Sequence, residues 1–116
     1  MELQEINKKL EQLPAEIENK TQEVIQSNED YARAKATWEY KMSEIYLNVK
    51  AINPDATQGD LTANSKIGSH VQRLDMISKQ SAWKKKVKEL QRLRDDYDAL
   101  LECSYNYRAS LKRFNA

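Results

Sequence analysis

At 116 residues and 13.5 kDa the chain has the length of a single domain, and its 19 Lys and Arg against 18 Asp and Glu leave no net field to draw it onto nucleic acid or an anionic membrane. No apolar run approaches the roughly 20 residues that a membrane span needs, and the opening Met-Glu-Leu-Gln-Glu is acidic rather than signal-like. The one cysteine, Cys103, has no partner for a disulfide within the chain and fits a reducing compartment, so the expected location is cytoplasmic.

Along the first 52 positions, Leu3, Leu10, Ile17, Val24, Tyr31, Trp38, Ile45 and Ile52 recur every seventh residue. A seven-residue apolar repeat lies close to two turns of helix and keeps one stripe facing a partner helix. Ile6 and Leu13 add a second line, but Lys20, Ser27, Lys41 and Asn48 at the same offset break it, so the seam is expected to thin between residues 18 and 30. Pro14 lies within the pattern and is followed by Ala15, Glu16 and Glu18, acids that suit the positive end of a helix. These residues predict a kink or restart, with a leading helix over 2–13 and a long helix over 15–52, about 57 Å in length at 1.5 Å per residue.

The run Asn53-Pro-Asp-Ala-Thr-Gln-Gly59 is rich in turn formers and predicts a turn over 53–60. Thr57, with Asp60 three residues on, resembles a capping pair that opens a second helix. A short stripe of Ile67, Val71 and Leu74 places that helix at 58–77. The polar interval Ser78-Lys-Gln-Ser81 predicts a break, and Trp83, Val87, Leu90, Leu93, Tyr97, Leu100, Leu101, Tyr107, Leu111 and Phe114 give a final long helix over 79–114. Two long segments joined by a turn make an all-α fold, an elongated antiparallel helical hairpin with a short helix near the bend, residues 1–116 forming one domain. A two-helix pair cannot cover apolar residues pointing in several directions. The chain is therefore expected to form a homo-oligomer, a dimer making a multi-helix bundle, with Leu3, Leu10, Ile17, Val24, Tyr31 and Trp38 as the interface.

Sites of chemistry are hard to assemble from these residues. His70 has no acidic residue at metal-ligand spacing, and position 67, where a di-iron bundle would need Glu, is Ile. Asp95, Asp98 and Glu102 share a helix face and read as a solvated surface answering the basic residues before them. No phosphate-cradling glycine loop or nucleophile elbow occurs, and Cys103 lacks a neighbouring base. The sequence thus predicts no enzyme, no metal and no cofactor. Its most suggestive polar feature is Trp83–Arg94, with six basic residues and one acid. Lys84, Lys88 and Arg92 recur as a ridge about 12 Å long, beside Lys85. Such a ridge could track phosphates, which makes direct single-stranded nucleic-acid binding through Lys84, Lys85, Lys88 and Arg92 the alternative reading.

Three segments carry a resemblance: Tyr31-Ala-Arg-Ala-Lys-Ala-Thr-Trp-Glu-Tyr40, the exit Lys50-Ala-Ile-Asn-Pro54, and Leu90-Gln-Arg-Leu-Arg-Asp-Asp-Tyr-Asp-Ala-Leu100 with Tyr105-Asn-Tyr-Arg108. In these the chain resembles small helical coiled-coil-like proteins of bacteriophages, often encoded beside single-strand annealing recombinases. The resemblance covers roughly residues 30–113. It implies a non-enzymatic scaffold or accessory protein in a recombination or replication module, a recombination or replication protein as partner, and the host cytoplasm as location. It carries no catalytic or ligand residues.

Overall fold

The computed structural model describes residues 1–115, and among these the chain is all-α, a helical hairpin of three helices: α1 (Leu3–Ile52), α2 (Gln58–Gly68) and α3 (His70–Asn115). The chain divides into two compact units, one of Met1–Val24 with Lys85–Ala116 and one of Ile25–Lys84. Each pairs a stretch of α1 with a stretch of α3.

In the first unit, Ile6, Leu13, Leu90 and Ser104 are buried. On both helices these positions fall on seven-residue lines, 6–13–20 and 90–97–104, which is the seam of an antiparallel pair. Two ion pairs set the register: Lys20 with Glu89 at 3.0 Å and Glu23 with Lys86 at 3.3 Å, ascending on α1 and descending on α3. Pro14 lies inside α1 without ending it, so residues 2–13 are not a separate leading helix. A proline within a helix removes one hydrogen bond and costs about 3 kcal/mol. Here its ring lies on the exposed face, while Leu13 beside it and Ile6 two turns before are buried on the inner one, and that burial offsets the loss.

In the second unit the buried residues are Ser27 and Ala34 on α1, Leu61 and Ser65 on α2, Ser69 at the joint and Met76 on α3. Most of these are small. Where helices approach closely only a short side chain fits on the nearest line, and larger residues move to its shoulders. Tyr31 and Trp83 are such shoulder residues, stacked with ring centroids 5.8 Å apart and planes 6° from parallel. Trp38 Nε1 and Gln72 Oε1 are buried without a hydrogen-bond partner among the described residues.

The bend follows from capping. α1 ends at Ile52, ahead of Asn53 and Pro54, and Thr57 caps α2, its hydroxyl accepting the Asp60 amide N–H at 3.2 Å. The Tyr46 hydroxyl donates to Gln58 Oε1 at 2.9 Å and fastens the start of α2 to α1. The turn is accordingly shorter than 53–60, and the short helix ends at Gly68 rather than at residue 77. No break occurs at Ser78–Ser81: α3 runs through it, because Ser78, Lys79 and Ser81 are exposed while Met76 is buried and Gln80 and Trp83 are partly so. The interruption lies instead at Ser69, whose backbone (φ −106°, ψ 13°) leaves the helical region for one residue.

Ile67, Val71 and Leu74, expected as a packing stripe, are 76%, 75% and 52% exposed. Ser65, Ser69 and Met76 occupy the inner face in their place. A Cβ built on Gly68 would lie 2.5 Å from Ile45 Cδ1, so the backbone there comes as near α1 as glycine allows. A branched side chain on that face would force the helices apart.

Candidate interaction surfaces

The proposed interface line divides by unit. Leu3, Leu10, Ile17 and Val24 in the first unit, and Tyr31 and Trp38 in the second, are all partly buried, while Ile52 at the end of the line is 85% exposed. Tyr31 is also engaged within the chain, since beyond its stack on Trp83 its hydroxyl accepts a 3.4 Å hydrogen bond from Gln80 Nε2. The line therefore spends part of its surface inside the molecule and leaves the rest to solvent.

The basic run on α3 separates into two kinds of residue. Lys84, Lys85, Lys88 and Arg92 are exposed and enter no ion pair among the described residues. Lys86 sits on the inner side and reaches Glu23. That contact belongs to a four-residue chain of alternating charge: Lys86, Glu23, Lys20 and Glu89, with Lys20 to Glu23 at 2.8 Å. Lys20 stands on the seven-residue line that buries Ile6 and Leu13, so its stem packs along the seam while its ammonium reaches out between two carboxylates.

The hydrogen bonds to Glu23 and Glu89 raise the Lys20 pKa above its ordinary value. The bond from Lys20, and then that from Lys86, lowers Glu23, and the bond from Lys20 lowers Glu89. Carboxylates with depressed folded-state pKa values contribute stability above their unfolded values near 4.5, and this is lost as pH falls through the folded ones. A raised Lys20 contributes below its unfolded value of 10.5, and that is lost as pH rises through the folded one. The network acts across the neutral range. Lys20→Glu would set a third carboxylate beside Glu23 and Glu89, so the variant should melt below the parent at pH 7 and recover part of the difference near pH 4. Thermal melts followed by circular dichroism at the two values check this; an equal deficit at both would refute it.

No other sequence candidate gathers into a reactive centre. His70 is exposed, Cys103 is free and exposed, and Asp95, Asp98 and Glu102 are exposed, with Asp95 accepting a hydrogen bond from Gln91 at 2.9 Å. Among the described residues no group of three or more His, Cys, Asp or Glu could hold a metal ion. Among the described residues no helix is long and apolar enough to cross a membrane.

One surface was not legible in the sequence. In the first unit a groove of about 520 Å³ opens between α1 and α3. Leu13, Leu93, Ala99 and Leu100 supply its apolar lining. Lys9, Gln12, Glu16 and Asp96 stand around it. The available signal was the pair of opposite charges seven residues apart on α1, which acquires meaning only once the register is known.

Comparison with known proteins yields no match: no family model fits the chain, and no curated protein or solved structure proves similar to it.

Proposed function

We propose that the protein is a non-enzymatic helical scaffold that self-associates and presents helix surfaces to a partner protein. One observation supports this most: among the described residues fourteen large apolar side chains are exposed, against six hydrophobic residues in the buried core. Scattered exposed apolar groups are ordinary, but such an excess over the core marks surfaces that association would cover. The half-buried line from Leu3 to Trp38 adds to that surface. A phage recombination or replication module is the setting we propose for it, on the strength of the resemblance alone. Sedimentation equilibrium between about 5 and 200 µM tests the reading on the scale of micromolar association. A dimer or larger species is the expected result, and a monomer throughout would refute self-association.

The second reading, binding of single-stranded nucleic acid, draws on a separate observation: Lys84, Lys85, Lys88 and Arg92 of α3 are exposed and enter no ion pair among the described residues. A labelled oligonucleotide titrated at low salt should, on that reading, bind with an affinity that falls steeply as salt rises. Reversing Lys84, Lys85, Lys88 and Arg92 to Glu should abolish binding. Absence of binding to the parent protein removes this reading and leaves the scaffold.

A further inference from the structure

The groove of the first unit has the features of a seat for another helix: an apolar lining from Leu13, Leu93 and Leu100, with charged residues beside it. Its two ends differ in sign. Lys9 stands toward one end and Glu16 toward the other, seven residues or about 10.5 Å apart along α1. The register set by Lys20 and Glu89 brings Asp96 level with Leu13, near the middle of the groove. Lys9, Glu16 and Asp96 are all exposed, and none enters an ion pair among the described residues. A two-fold axis passing near Gln12 and Leu13 would turn such a groove onto itself with opposite ends in contact.

We infer that the occupant of this groove is a second copy of the chain, docked antiparallel along α1. In this arrangement Lys9 of each protomer meets Glu16 of its partner, so one contact is made twice, as an isologous dimer requires. Leu13, Leu93 and Leu100 of both copies lie between the two pairs. The charges select orientation: a parallel arrangement would set Lys9 against Lys9 and Glu16 against Glu16, a repulsive alignment at both ends. The inference rests on the self-association proposed above and names one seat for it, apart from the exposed apolar residues that support that reading.

Charge reversal tests it in the full-length protein. Lys9→Glu alone places carboxylates against carboxylates at two symmetric positions, and Glu16→Lys alone does the same with ammonium groups. Each should raise the dimer dissociation constant roughly tenfold, the scale of two exposed ion pairs turned repulsive. The double variant K9E/E16K restores opposite charges across the axis and should associate within about threefold of the parent, since only the direction of each pair has changed. Both positions are exposed, so the variants should keep the parent's helix content, which circular dichroism checks. Sedimentation equilibrium reads the outcome. A parent that associates while all three variants match it, or a double variant no better than the single ones, overturns this seat but not self-association. A monomeric parent overturns both.

Discussion

Replacing Ser69 by leucine is expected to destabilise the protein by about 3 kcal/mol, at the upper end of what overpacking ordinarily costs. Ser69 has 0% of its surface exposed and joins α2 to α3. Its hydroxyl donates to the Ser65 carbonyl at 2.6 Å, and its amide N–H reaches the same oxygen at 3.1 Å. Beside it, Gly68 already lies against Ile45. Leucine has nowhere to place its branched end there, so α2 or the start of α3 must withdraw from its packing. Ser69→Ala serves as the control and should stay within about 1 kcal/mol of the parent, because the Ser65 carbonyl keeps the amide donor when the hydroxyl is lost. Urea unfolding followed by circular dichroism distinguishes the two. A leucine variant as stable as the alanine one would show that the joint has room to spare.

Leu61→Ala should cost a similar amount, about 3 kcal/mol, within the range for removing a buried leucine. Its consequence should be local. Leu61 is 3% exposed and is the one large buried side chain of α2, whose other buried residue is Ser65. An 11-residue helix is marginal in isolation, so α2 depends on that anchor, on the Thr57 cap and on the Tyr46–Gln58 bond. Amide hydrogen exchange over residues 58–68 should accelerate in the variant, while the stretch of α3 around Leu90 keeps its protection. If protection fell equally in both places, α2 would be part of one cooperative core rather than a helix held by a single side chain.

The first expectation rests on a small residue, the part of the fold least legible in the sequence. Ser27 and Ala34 fall on the same seven-residue line as Ile6 and Leu13, and serine at position 27 reads as an interruption of the seam. The structure buries it, as it does Ser65, Ser69 and Ser104. A hydrophobicity pattern registers serine as polar and outward. In a helix, however, the hydroxyl can be satisfied by the carbonyl one turn earlier, as Ser65 does with Leu61 at 2.8 Å, and the residue then behaves as a small spacer. The same pattern assigned Ile67, Val71 and Leu74 to the inside, where their bulk would have kept α2 and α3 from α1. Periodicity shows that a face is apolar. It does not show which of two faces a neighbour will choose.

The charged residues divide in the same way. Lys84, Lys85, Lys88 and Arg92 were readable as one exposed face from their spacing alone. Lys86, in the middle of the run, was not separable from them until its contact with Glu23 was seen. Lys9 and Glu16 are ordinary surface residues in the sequence and become a complementary pair only beside the groove.

By itself the sequence determined the helical class, the two-part hairpin, the exit at Asn53 and Pro54 and the Thr57 cap, because these depend on local backbone chemistry and on a repeat within one helix. Only the tertiary structure decided that α1 continues through Pro14, that α3 runs unbroken past Ser78 while the joint falls at Ser69, and that serines and an alanine take the closest line between helices. Those outcomes depend on how near one backbone can come to another, a distance set by pairs of residues far apart in the chain.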